Sequence, residues 1–254
     1  MTLSVTLNLE KLNSQLEQKK PKEIIAWTSE TFMPKLAMTS SFGPESGVLL
    51  HMVSQVNPHI PVLFLETGYH FPETIQYKEL LIRTLGLTQV IDLKADPKRR
   101  AEVVESYQGT PYEKNPDLCC QINKVEPLDK ALRSYDAWMS GIRRRQSDTR
   151  KSIRIVEEYE GQLYKISPIA NFTSRDVWWY LKEHQIPQHP LFEKGYLSIG
   201  CWPCTRPVQD GDDERSGRWA GKAKKECGIH QFKEIKVDKE KDEGETSKHI
   251  SENI

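Results

Sequence analysis

The stretch PKLAMTSSFGPESGVLLHMVSQV, residues 34–56, decides the fold. It opens on a short apolar run, passes through a turn of Ser, Gly and Pro, and closes on an amphipathic pattern: strand, turn, helix. The same order repeats outward from it. PVLFLETG (61–68) is a second apolar strand, and the helix behind it, from about Pro72 to Leu85, begins on proline as helix starts favour. TQVIDL (88–93) is a third strand with another helical stretch behind it, and DAWMSG (136–141) is a fourth. Strands alternating with helices predict crossover units. The expected fold is therefore α/β, a Rossmann-like, doubly wound and mostly parallel sheet.

The flanks are organised differently, and no internal repeat is present. Residues 1–34 form an N-terminal helical segment, with helical pattern over 8–32 broken at Pro21. Beyond the fourth strand, IRIVEEYEGQLYKI (153–166) predicts a hairpin turning at Glu160-Gly161. TSRDVWWYLKEH (173–184) predicts a helix capped by Thr173 or Ser174. Residues 186–227, rich in Gly, Pro and charge, read as functional loops. The expected single domain spans 35–230, its C-terminal end a mobile catalytic segment. Residues 231–254, mixed in charge and poor in aromatics, read as a disordered tail.

Composition excludes several classes. The 254 residues carry 36 Lys+Arg against 36 Asp+Glu, so no global field recruits nucleic acid or an anionic membrane. No apolar run approaches the roughly 18 residues of a membrane span. The N-terminus turns polar and charged too early for a secretory signal. With five cysteines, an odd number, the expectation is a cytoplasmic protein whose thiols serve metal or catalysis rather than a disulfide framework.

Two of those cysteines adjoin, in NPDLCCQINK (115–124). The Cα atoms of Cys119 and Cys120 must lie about 3.8 Å apart, below the roughly 4.4 Å at which ordinary disulfide geometry begins. Cys201-Trp-Pro-Cys204 forms a second close pair, and Cys227 stands alone in KKECGIH. A zinc site usually takes two C-x₂₋₄-C knuckles. A redox dithiol explains only Cys201 and Cys204. An iron–sulfur cluster takes four thiolates on different irons, so two neighbours can reach two corners. Four unrelated buried cysteines are the remaining reading.

The CC pair followed by Lys124 and KVEPL, then SIGCWPCTRPV, ERSGRWAGK and ECGIH, resemble the assimilatory adenylyl-sulfate reductases of iron–sulfur type, a branch of the phosphoadenylyl-sulfate reductase group. The resemblance runs from about Lys35 to His230. It implies an adenine-nucleotide α-hydrolase-like fold and one [4Fe-4S] cluster per chain on Cys119, Cys120, Cys201 and Cys204. It also implies that SSFGPESG (40–47), which lacks the G-K-[ST] of a Walker loop, contacts the nucleotide through Ser40, Ser41 and Gly43. ETGYHF (66–71) is similar to the family's D-T-G-x-x-F, with Glu66 in place of Asp. GIRRRQSDTRK (141–151) gathers five cations at the carboxyl end of the fourth strand, where open α/β sheets bind ligands. By the resemblance Gly141 lies near the adenine, while Arg150, Arg215, Arg218, Lys124 and His230 contact the anionic substrate. His70, His184 and His189 match no family position and read as structural.

The implied chemistry is reduction of adenylyl sulfate to sulfite and AMP, in sulfate assimilation and cysteine biosynthesis. Cys227, expected to be favoured as thiolate by the preceding KAKKE, is the nucleophile and forms an S-sulfocysteine. Thioredoxin or glutaredoxin then releases sulfite. Three competitors stand beside this. A reductase of 3′-phosphoadenylyl sulfate, or of both nucleotides, differs only in substrate. An ATP-dependent thiolation enzyme would share the fold, though neutral charge speaks against an RNA partner. A non-catalytic iron–sulfur redox sensor or zinc-stabilised binding module would show no turnover. The sequence leaves the oligomeric state open, a homo-oligomer included.

Overall fold

A computed structural model describes residues 7–159, 163–209 and 211–230 of the chain. Helices α1 (Leu9–Leu16) and α2 (Pro21–Phe32) precede strand β1 (Leu36–Thr39). Next come α3 (Ser46–Val56), β2 (Val62–Leu65), α4 (Pro72–Leu85), β3 (Val90–Leu93) and α5 (Pro97–Ser106). Two short helices, α6 (Pro111–Lys114) and α7 (Pro116–Cys120), lead through a π-helical turn, Gln121–Val125, into α8 (Glu126–Leu132). The chain finishes with β4 (Ala137–Ser140), β5 (Val156–Tyr159), β6 (Leu163–Ile166) and α9 (Ser174–Glu183).

The six strands form one sheet in the order β3-β2-β1-β4-β6-β5. Every pair is parallel except the β5–β6 edge hairpin. This is the expected doubly wound sheet, with the hairpin added at one edge; its predicted Glu160-Gly161 turn lies outside the described residues, as does the predicted tail. Pro21 begins α2 rather than breaking a longer helix, because a helix's first turn has no use for the missing N–H. Thr173, not Ser174, caps α9, accepting from the Asp176 N–H at 3.1 Å.

Strand side chains alternate between faces, and the core divides accordingly. Leu36, Met38, Val62, Phe64, Ala137 and Met139 enter the larger apolar cluster, with residues of α2, α3 and α4. Ala37, Leu63 and Trp138 face the other way, against Leu128 and Leu132 of α8. Helices on both faces leave the strands' carboxyl ends as the open side. The winding runs from β1 through β2 to β3, then reverses to β4 on β1's other flank. That reversal makes a crevice at the carboxyl ends of β1 and β4.

The N-terminus is tied to the far edge of the sheet. Buried Asn13 on α1 accepts from the Val156 N–H and donates to the Val156 carbonyl, both at 2.9 Å, completing the ladder of edge strand β5. Asn13→Ala is expected to lower stability by about 2 kcal/mol, since two backbone groups lose buried partners. A reduced urea midpoint with unchanged slope would register it.

Candidate active site

A cleft of about 200 Å³ opens at the β1/β4 crevice. It is lined by the ends of β1, β2 and β4, the turn after β1, residues 197–200, and the segment 215–230. The ten residues that the resemblance assigns to substrate or catalysis all border it: Ser40, Ser41, Gly43, Lys124, Gly141, Arg150, Arg215, Arg218, Cys227 and His230. The turn after β1 is held by its own hydroxyls. Ser40 accepts from the Phe42 N–H at 3.2 Å and Ser46 from the Gly43 N–H at 2.9 Å.

The four paired cysteines surround a smaller adjoining cavity, walled also by Tyr69, Tyr112, Asn123 and Trp219. Lys124, Arg218 and Trp219 border both spaces. Cys119 and Cys120 end α7, which Asn115 caps by accepting from the Leu118 N–H at 3.0 Å. The wider π turn comes immediately after them. Pro127, two residues beyond it, can give no helical hydrogen bond to the Asn123 carbonyl and its ring would crowd it, so a regular α-helix cannot pass through this point unaltered. Asn123 donates to the Cys119 carbonyl at 2.9 Å and approaches Cys119 Sγ at 3.7 Å. On the other side, Thr67 of the turn after β2 lies 3.4 Å from Cys201 Sγ, and the Trp202 N–H donates to the Tyr69 carbonyl at 2.8 Å.

These thiols suit a bound group better than they suit one another or solvent. All five cysteines are unbridged. Burial pushes the Cys119 thiol up to about 12, and its three cysteine neighbours push it the same way. Burial also raises Cys120, to about 11, against the pull of the Lys124 ammonium. Burial raises Cys204 as well, and a metal beside buried thiols favours their thiolate form. Among the described residues, no three His, Cys, Asp or Glu side chains form a group that could hold one metal ion. An all-sulfur donor set suits zinc or an iron–sulfur group.

Arg218 owes its place to two neighbours. Its backbone bridges to Thr205, and the Trp219 N–H donates to the Cys204 carbonyl at 3.0 Å, which pins ERSGRW to the C-W-P-C loop. A Cβ added to Gly200 would come within 2.2 Å of the Arg218 guanidinium, so any larger residue there would displace the arginine's tip from where it crosses that loop. Among the described residues, Arg218 Nε and His230 Nδ1 are shielded from solvent without a partner, polar atoms left for a ligand. Burial, with the cations Lys165, Arg150 and Arg215 nearby, holds His230 well below its ordinary value, so its imidazole is neutral. Burial opposes the Lys124 charge, but the sulfurs of Cys201, Cys227 and Cys120 outweigh it and raise Lys124.

Several expectations change in detail. Of the five cations in 141–151, only Arg150 reaches the cleft. Arg143 is buried against Glu45, Arg144 pairs with Glu17, Lys151 pairs with Asp148, and Arg145 is exposed. Two lysines of KAKKE are held elsewhere: Lys222 donates to the Glu113 carbonyl at 2.8 Å and Lys224 pairs with Asp117. The lysine that shares the cleft with Cys227 is Lys124, from a distant part of the chain. His189 is structural, bonded to Thr74 at 3.1 Å, whereas His70 borders the cleft while holding the Leu65 carbonyl at 2.9 Å. Glu66 serves its own turn, accepting from the Gly68 N–H at 2.7 Å. Glu226 is a site residue that the sequence reading misses. It accepts from Arg150 Nε and Nη2, both at 2.8 Å, and from Arg215 at 3.1 Å. Its only sequence signal is an acid placed directly before the lone cysteine.

The phosphoadenosine phosphosulfate reductase domain model matches residues 35–207. A protein of Halalkalibacterium halodurans named adenosine 5′-phosphosulfate reductase is 42% identical over 91% of this chain and 100% of its own length. A protein of Gloeobacter violaceus named phosphoadenosine 5′-phosphosulfate reductase is 44% identical over 87% of this chain and 93% of its own. Among solved structures, a phosphoadenylyl-sulfate reductase from Candida auris, in complex with phosphate, superposes with TM-score 0.67 at 28% identity, covering 79% of this chain and 98% of that one. The FMN adenylyltransferase of Candida glabrata, at TM-score 0.54 and 14% identity over 81% of this chain and 69% of its own, shares the fold.

Proposed function

The chain belongs to the phosphoadenosine phosphosulfate reductase domain family, and from that premise we propose that it reduces adenylyl sulfate to sulfite and AMP in sulfate assimilation. The observation that carries the proposal is that Cys227 shares one cleft with Lys124, Arg218 and His230, beside a ring of four other thiols.

The nucleotide enters at the turn after β1, where Ser40, Ser41 and Gly43 line the cleft and Gly141 leaves room beside Leu49 and Ile169. Arg218, Lys124 and His230 hold the sulfate end and draw charge towards the phosphate oxygen that must leave. The Cys227 thiolate attacks the sulfate sulfur. A Cys227 S–S bond forms, the S–O bond to phosphate breaks, and AMP departs with that electron pair. A dithiol protein, thioredoxin or glutaredoxin, then attacks Cys227 Sγ. Sulfite leaves with the electrons of the S–S bond, and the reductant's second thiol resolves the mixed disulfide, so the dithiol supplies both electrons.

Cys119, Cys120, Cys201 and Cys204 would hold one [4Fe-4S] cluster. When bound, it supplies fixed charge and a rigid frame beside Lys124, with no electrons passed to substrate. Free thiols and such a cluster suit the reducing cytoplasm. Among the described residues no helix is long and apolar enough to cross a membrane.

Anaerobic mixing with adenylyl sulfate, without reductant, tests the proposal. Mass spectrometry is expected to find a sulfonate adduct on Cys227 and one equivalent of AMP. ATP consumed without sulfite formed would favour a thiolation enzyme instead. The Gloeobacter relative's name keeps the 3′-phosphorylated nucleotide in view as a second substrate. A comparison of kcat/KM for the two is expected to favour adenylyl sulfate.

A further inference from the structure

The arginines expected to hold substrate are already engaged. Arg150 is buried, and its guanidinium gives Nε and Nη2 to the two oxygens of Glu226 and Nη1 to Gln146 at 2.5 Å. Arg215 reaches the same carboxylate and the Lys225 carbonyl at 3.2 Å. Burial and the facing Arg150 charge push Arg215 down to about 10, so an anion between the two is needed to keep them together. Glu226 supplies it, with a side chain only 5% exposed. Burial alone would raise its carboxyl, but Arg150 and Arg215 outweigh burial and hold it below the ordinary value.

Glu226 adjoins Cys227, and the residues just past the thiol are fitted closely. Gly228 adopts a φ of +96°, and a Cβ there would stand 3.1 Å from Val125, beside Lys124 in the π turn. Ile229 packs on the smaller core cluster. The upstream ties, Lys222 and Lys224, bind α6 and α7 instead of the cleft. Chain strung from those points would leave the thiol without an orientation.

We propose that Glu226 is a positioning residue: its carboxylate docks the C-terminal segment onto the Arg150–Arg215 pair and so aims Cys227 into the cleft. The inference rests on the sulfonucleotide reaction proposed above. It gives Arg150 and Arg215, which border the cleft, a part in holding the enzyme's own segment beside the substrate's anionic end. Docking sets the first step, and release of the same latch would expose Cys227 to the protein reductant in the second.

Glu226→Gln keeps the shape, removes the charge and turns an amide donor towards a guanidinium; Glu226→Asp keeps the charge on a shorter arm. Both are compared with wild type in the full chain carrying its metal group. The single-turnover rate of Cys227 sulfonation at saturating adenylyl sulfate is expected to fall about 10- to 100-fold in Glu226→Gln. The Kd of adenylyl sulfate should change by less than about threefold, because the substrate's own contacts remain. Hydrogen exchange at the amides of 226–230, read without substrate, should quicken at least about tenfold as the segment undocks. Glu226→Asp should recover part of the rate. Unchanged sulfonation and exchange would overturn the proposal, and so would a loss of affinity matching the loss of rate, which would mean that Glu226 acts on substrate binding through the arginines and not on the aim of Cys227. Faster exchange in Glu226→Gln, with no sulfonate adduct in wild type, would uphold the docking and overturn the sulfonucleotide reading.

Discussion

Cys227→Ser is expected to abolish sulfite formation, by at least about 10⁴-fold. The substitution removes one atom's chemistry and little else. A hydroxyl at this position is almost wholly protonated near neutral pH, and the S–S bond that carries the sulfonate cannot form. The segment around it keeps its ties through Glu226, Gly228 and Ile229, so the nucleotide should bind with unchanged affinity. The other four cysteines ring the adjoining cavity and cannot substitute. Sulfite release and nucleotide affinity, measured on the same sample, separate a lost nucleophile from a damaged site. Wild-type turnover in the serine variant would end the mechanism.

Cys201→Ser should be nearly as severe, by a different route. The variant is expected to purify colourless, without iron or sulfide, and to lose more than about 100-fold in sulfonation rate. Cys201 sits at the hinge of two assemblies: Thr67 meets its sulfur, its carbonyl accepts from Thr205 at 2.9 Å, and Thr205 bridges to Arg218. Loss of the bound group should therefore slacken Arg218 at the cleft. If the four cysteines were merely buried thiols, the same change would cost about 1 kcal/mol of stability and leave activity and colour alone. Iron analysis with a single-turnover assay decides between these outcomes.

Local pattern carried the architecture. Apolar runs at 36–39, 62–65, 90–93 and 137–140 each precede a helix or a turn, and the sheet uses all four as parallel strands. Strand order was not legible, because which flank of β1 receives β4 depends on contacts about a hundred residues apart. The two close cysteine pairs were legible, and the structure brings all four thiols round one cavity. The electrostatics of the site were not. KAKKE suggested charge beside Cys227 by adjacency in sequence, yet Lys222 and Lys224 are drawn off to Glu113 and Asp117, and Lys124 shares the cleft with the thiol instead. Adjacency along an irregular segment says little about direction. Glu226 escaped notice for the same reason: an exposed-looking acid became the buried partner of two arginines only once Arg150 and Arg215 had converged.

The tie between Asn13 and Val156 joins positions 143 apart and has a bearing on biosynthesis. Helix α1 leaves the ribosome well before its buried partner, which arrives only with β5. Until then β4, destined for the sheet's interior, offers one bare edge, and the nascent protein carries an open ladder. Chains stopped before the β5–β6 hairpin is complete should therefore associate edge to edge, and engagement of α1 should mark the moment at which a translating chain becomes safe to release.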